Sequence, residues 1–208
     1  TAQGAKPQPQ VILDAQWADT DWTLAKALRT SRFWVLLVGV FFLLVGLYAV
    51  MMHQVSHTID VGFSKLTAAA AFGLLGFMGG VGKAGWGFLS DRIGREMALT
   101  LGLLSTSFGV IFLLLLKDPS QLWMLYVYTA LFGLGYGSIA PVLAALTADL
   151  FQGRNLGSIY GFIVTAAGLG GALGPPLAGY MYDVTGTYQL AFAISLLHIA
   201  FSCISIWV

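Results

Sequence analysis

The sequence predicts an all-α membrane protein built from six spanning helices, and three observations carry that class. Of 208 residues, 58% are hydrophobic and only 9% are charged, where soluble globular domains carry roughly 25% charged residues. A chain this poor in charge cannot cover a water-facing surface, so lipid is the solvent for much of it; its mean hydropathy is +0.82. Six apolar segments follow one another, at about 33–53, 66–90, 97–116, 122–151, 157–183 and 189–208. Each reaches the ~20 residues that cross a hydrocarbon core of ~30 Å. They are too long and too evenly apolar for barrel strands of about 10 residues with alternating pattern.

The elements follow in order. Residues 1–32 are polar, and their Gln/Pro-rich start reads as linker. Within them, 21–32 suits a short amphipathic helix, with Trp22, Leu24 and Leu28 on one side and Lys26, Arg29 and Arg32 toward water. The chain starts at Thr1 and ends inside an apolar run, which we read as a fragment of a longer protein. The breaks between segments carry the polar residues: "HTIDVGFSK", "DRIGRE", "KDPSQ", "QGRN" and "DVTGTYQ". Ser64 is expected to cap the second helix and Ser120 the fourth. Pro141 is expected to kink the fourth segment and Pro175–Pro176 to interrupt the fifth. Glycines spaced by four, at Gly76/Gly80, Gly133/Gly137, Gly157/Gly161 and Gly170/Gly174, allow close helix approach. Segments one to three and four to six are comparable triplets, compatible with a three-plus-three repeat.

Seven of the ten lysines and arginines fall on one side of this topology: Lys6, Lys26, Arg29, Arg32, Arg92, Arg95 and Arg154. Lys65 and Lys117 fall on the other. The richer side is expected to be cytoplasmic, and an even number of spans puts both ends there. The single cysteine, Cys203, supports no internal disulfide or metal site. "GVGKAG" (80–85) matches a dinucleotide-binding glycine pattern, but inside an apolar helix rather than at a strand-to-helix turn. As a phosphate loop it fails too, with Phe77 at the first glycine position and Ala84 after the lysine. No cofactor is expected.

The tenth cation, Lys83, lies inside the second segment. An intramembrane charge costs about 2.5–3.5 kcal/mol on insertion scales and marks a functional site by default. Lys83 precedes Asp91 by eight residues, about 12 Å of rise. Helical side chains lean toward the helix N-terminus, which here means toward the membrane centre. Its helical neighbours Gly76, Gly79, Gly80 and Gly87 form a small-residue face. These features favour substrate or ion binding over structural pairing or snorkelling to the interface.

"GFLSDRIGRE" (87–96) resembles the G-x-x-x-D-R-x-G-R-[KR] loop of the major facilitator superfamily. Gly87, Asp91, Arg92, Gly94 and Arg95 match, and Glu96 departs from the basic last position. The resemblance implies that the six segments are helices seven to twelve, the C-terminal half of a twelve-helix transporter. Residues 1–32 would end the loop that joins the halves. In the family this loop is a conformational latch. By that likeness Asp91 would meet the start of segment five at Gly157–Ser158, and the arginines would meet Asp149.

"DWTLAKALRTSRFWVLL", "LFGLGYGSIAPVLAALTADLFQGRNLGSIYG" and "GALGPPLAGYMYDVTGTYQLAF" resemble the monocarboxylate transporter and oxalate:formate antiporter branch. There a cationic residue at the position of Lys83, usually arginine, binds the substrate carboxylate. Lysine lacks the bidentate fork. The acidic residue that monocarboxylate carriers place one turn earlier is Gly79 here.

Tyr136 and Tyr160 are candidate pocket walls, whereas Tyr126 and Tyr128 suit an interfacial belt. His53, at the outer end of the first segment, is a candidate proton-linked group. His57 falls beyond that segment, and His198 suits a packed or interfacial position.

The reading is therefore a secondary active transporter of a small organic anion, by proton symport or anion exchange, multi-pass in the plasma or inner membrane. Its partners would be the anion, the bilayer and a six-helix N-terminal half, with no nucleic acid. The alternatives are a carrier of a neutral or cationic solute on the same fold, or a non-transporting receptor or assembly subunit. A membrane enzyme would need grouped acid, base or nucleophilic residues at depth, and the sequence has none, so no enzyme is expected.

Overall fold

The computed structural model describes Trp17 and residues 20–207; residues 1–16 of the expected linker lie outside the described residues. One helical turn, α1 (Leu24–Ala27), precedes the long helices α2 (Ser31–Asp60), α3 (Lys65–Ile93) and α4 (Arg95–Leu115). Then come α5 (Leu122–Tyr136), α6 (Ile139–Leu150), α7 (Leu156–Thr185) and α8 (Gln189–Ser205). Five stretches are long and apolar enough to cross a membrane, α5 and α6 counting together, and α8 is a shorter apolar helix. No strand occurs among the described residues.

Local chemistry sets the ends. Thr30 caps α2 through the Phe33 N–H, and Ser64 caps α3 through the Thr67 N–H at 3.0 Å. Gly94 turns α3 into α4 at φ +93°, a conformation that favours glycine. Ser120 does not cap the fourth span. It sits in a single 3-10 turn, and its N–H and hydroxyl both donate to Asp118. Those two bonds hold the Asp118 carboxyl below its ordinary pKa.

The fourth span breaks at Gly137–Ser138, one turn before Pro141 rather than at it. Proline has no N–H to give the carbonyl four residues back, which is Gly137. The Ser138 N–H turns instead to Gly135. Pro175–Pro176 do not interrupt α7, which runs unbroken to Thr185. The glycines before them (Gly170, Gly171 and Gly174) let the backbone adjust without unwinding.

Packing interleaves the two triplets of spans. The first helix of the first triplet, α2, packs between α7 and α8. The first helix of the second triplet, α5, packs between α3 and α4. The third members, α4 and α8, touch each other. Exchanging the triplets leaves this pattern unchanged, which is the signature of an internal repeat.

Two of the four glycine pairs close these seams. A Cβ on Gly133 or Gly137 would fall 2.5–2.7 Å from the backbone of α3, and one on Gly170 or Gly174 would fall 2.2–2.3 Å from carbonyls of α2. Gly76/Gly80 and Gly157/Gly161 have nothing within 4 Å. These open pairs lie on α3 and α7, the least buried of the long helices.

A buried polar contact joins α2 to α5: the Tyr128 hydroxyl donates to Gln54 Oε1. Tyr128 is thus a core residue rather than a belt residue, while Tyr126 is exposed. Tyr128→Phe leaves a buried acceptor unpaired. It is expected to cost about 1–3 kcal/mol, read as a lowered thermal midpoint in detergent.

Candidate functional site

α3 has three faces when its residues are set at 100° each. Ala68, Ala71, Leu75, Gly79 and Gly82 are buried against α5. Phe77, Val81 and Phe88 form an exposed bulky face. Between them lie Gly76, Gly80, Lys83 and Gly87. Lys83 is exposed and makes no hydrogen bond or ion pair with any described residue. It therefore flanks the packed seam and faces away from the six-helix core. "GVGKAG" lies mid-helix, where no phosphate-binding turn forms.

A band of residues runs from this seam across the open side. The Cβ position of Gly79, one turn from Lys83, lies 3.8 Å from Tyr136 Cδ1. Tyr136 is half-buried, stacks on Phe132 with centroids 6.5 Å apart, and its hydroxyl interacts with that of Tyr48. The Tyr48 ring rests 3.4–3.5 Å from the Cβ position of Gly171 on α7. Tyr48 and Leu44 also wall an open groove of about 440 Å³ with Val164, Ala167, Gly168 and Gly171. Ring contacts at Gly79 and Gly171 and the Tyr136–Tyr48 pair thus tie α3, α5, α2 and α7 into one band, with Lys83 one helical turn from its α3 end.

Sequence reasoning missed Tyr48. Its one signal is a lone hydrogen-bonding side chain midway along an apolar helix. Tyr160 is half-buried near the start of α7, eleven residues and about 16 Å before Gly171. The structure does not bring it to the band.

His53 lies outside the band as well. Its Nε2 bonds the Pro175 carbonyl at 3.0 Å, and its ring stacks on Tyr188 at 4.8 Å. The first span runs seven residues past His53, so His57 is inside α2 rather than beyond it. It is buried, with Nε2 on the Leu113 carbonyl. His198 is half-buried beside Phe42.

At the Asp91 end, Arg95 joins three elements. It pairs with Asp91, donates to Ser90 Oγ at 2.7 Å, and donates through Nε to Asp149 Oδ2 at 3.2 Å. Gly87 faces Pro141 of α6, with its Cβ position 3.8 Å away. Arg92 meets no acid among the described residues; its guanidinium lies 4.2 Å over the Phe88 ring. No hydrogen bond joins Asp91 to Gly157 or Ser158 among the described residues, because Arg95 holds the carboxylate.

The segment before α2 docks at this same end. Trp17 Nε1 donates to the Leu150 carbonyl at 2.7 Å, and Trp22 packs edge-on against Phe151 at 5.3 Å. The helix expected over 21–32 is only the single turn α1, but its apolar side is as expected: Trp22 is buried and Leu24 and Leu28 pack against the core, while Lys26 and Arg29 are exposed.

Comparison with known proteins agrees with this architecture. The Major Facilitator Superfamily model matches residues 3–119 and 34–208. Monocarboxylate transporter 13 of Bos taurus is 32% identical over 155 residues, covering 72% of this chain and 35% of that protein. Monocarboxylate transporter 12 of Xenopus laevis is 27% identical over 169 residues, covering 81% and 37%. The chain thus spans little more than a third of these relatives' length. A crystal structure of the E. coli fucose:proton symporter superposes with a TM-score of 0.71 over 88% of this chain and 44% of that one, at 18% identity. That likeness shows the fold alone. With the interleaved triplets and the Gly87–Arg95 loop, the family match establishes that this chain is a multi-pass membrane protein of the major facilitator superfamily.

Proposed function

We propose that the chain is the C-terminal half of a secondary active transporter for a small organic anion of the monocarboxylate or oxalate/formate type. The observation that carries this reading is Lys83, a cation without a partner among the described residues, on a small-residue face one turn from the α3 end of the Tyr136–Tyr48 band. An intramembrane ammonium that no described side chain neutralises suits a carboxylate that arrives and leaves. The relatives' printed names point the same way. The open glycine pairs of α3 and α7 support packing against an N-terminal half, because small residues exposed in a bundle favour close helix contact. The substrate would then sit between the halves at mid-depth, and alternating access would rock one against the other. The cation-rich end would face the cytoplasm.

Arg95, Asp91 and Asp149, with Gly87, Arg92 and Gly94 at the same α3–α4 corner, would hold one of the two states. Both carboxylates are exposed while Arg95 is half-buried, and pairs open to solvent on one side contribute about 0.2–1 kcal/mol. Asp149→Asn is therefore expected to shift the two-state population by at most about five-fold. Distance measurements between labels at the ends of α3 and α7 would read that shift.

The function is tested with full-length protein in proteoliposomes. Uptake of labelled lactate, pyruvate, formate and oxalate would be followed with a proton gradient or trans anion as driver. Saturable uptake of one acid supports the reading. Uptake of a neutral or cationic solute with none of these acids would refute it, and binding without flux would point to a receptor.

A further inference from the structure

A second groove lies on the outside of the bundle, between the start of α2 and the end of α8. Trp34, Val35 and Val38 line one side, and Phe201, Ile204 and Ser205 the other, around about 360 Å³. Ser205 is its one polar side chain, and that hydroxyl already donates to the Ser202 carbonyl at 2.7 Å. Ser205 also fills the space over Gly39 and so seals the floor. The groove offers an occupant apolar contact and nothing else.

The mouth is different. Trp34 Nε1 donates to the Leu28 carbonyl at 2.8 Å, which fixes the indole as a wall and sets the 28–29 peptide at its edge. Arg29 follows there, exposed, with no side-chain partner among the described residues. Its neighbouring cations are engaged: the Arg32 guanidinium lies 4.3 Å over the Trp17 ring, and Lys26 Nζ donates to the Asp21 carbonyl. One unneutralised arginine thus stands at the membrane-surface end of an apolar slot.

We propose that this groove binds one phospholipid with an anionic headgroup, an acyl chain along Trp34, Val38, Phe201 and Ile204, and the headgroup phosphate on Arg29. The chain is embedded in lipid, so the occupant is at hand. A basic residue near the surface favours an anionic headgroup by about five-fold, and an arginine fork suits phosphate.

Native mass spectrometry of the full-length protein, titrated with phosphatidylglycerol or phosphatidylcholine, tests this. One phosphatidylglycerol should be retained at several-fold higher occupancy than phosphatidylcholine. Arg29→Gln should lower that preference about five-fold. Ile204→Trp should reduce retention of both lipids by filling the slot. Both positions are exposed, Ile204 at 73%, so neither variant threatens the fold. Equal retention of the two lipids by the wild type overturns the proposal. So does a preference untouched by Arg29→Gln, occupancy untouched by Ile204→Trp, or a protein dimer that displaces the lipid.

Discussion

Gly137→Val is expected to prevent folding. A Cβ at this position would stand 2.6 Å from the Gly79 carbonyl oxygen and 2.7 Å from Gly82 Cα. Both are backbone atoms, so no side chain can swing aside. The facing glycine is just as tight: a Cβ on Gly82 would meet the Leu134 carbonyl oxygen at 2.3 Å. Relief requires α3 and α5 to separate, and separation forfeits the buried stripe of α3 that this crossing seals. Overpacking in an ordinary core costs about 1–3 kcal/mol. This seam should exceed that range, because helix backbones rather than rotamers must move. Against a total stability of about 5–15 kcal/mol, little monodisperse protein should survive size-exclusion chromatography. Gly80→Val is the control. It adds the same side chain next to the crossing in sequence but on another face of α3, with nothing within 4 Å, so the bundle should fold while docking of the proposed N-terminal half suffers. A stable Gly137→Val protein would mean that the two helices do not cross here.

The glycine contrast also marks the limit of what the sequence could say. Four small-residue pairs look alike on paper, and which of them meet depends on which helices are neighbours. The interleaved packing decides that, and it is a long-range property. The six spans were legible because hydrocarbon thickness dictates length and composition. Their ends were less so: α2 continues to Asp60, and His57, read as a loop residue, becomes a buried helical one. Proline was legible as a disturbance but not in its outcome. Pro141 breaks the helix one turn upstream, where its missing N–H and its ring act, while Pro175–Pro176 are absorbed.

Lys83 stood out because a charge is conspicuous in an apolar run. Tyr48 did not, since a lone tyrosine has no spacing to mark it. It matters because its ring rests on α7 while its hydroxyl reaches that of Tyr136 on α5. Tyr128 failed for a related reason, as a buried tyrosine and an interfacial one have the same local sequence.

If the proposed function holds, Lys83→Ala should lower kcat/KM for the acid carried by about ten- to a hundred-fold, the range for losing a hydrogen bond to a charged group. The loss should come without destabilisation, because no described residue depends on the ammonium. Thermal unfolding in detergent would establish that second half. Two further variants separate charge from shape. Lys83→Gln keeps a donor and most of the length but drops the charge, and should resemble Lys83→Ala. Lys83→Arg keeps the charge and adds a bidentate fork for a carboxylate, so it should retain uptake and favour acids with a free planar carboxylate. If Lys83→Gln transports as well as wild type, the lysine is not reading substrate charge, and its isolation on the Gly76–Gly80 face must serve helix packing instead. If Lys83→Ala loses uptake only together with its folded fraction, the ammonium has a structural partner in the other half of the carrier. A clean loss with intact folding leaves the remaining selectivity to the two hydroxyls of Tyr48 and Tyr136. Tyr48→Phe would then change which acid is preferred more than how fast it moves.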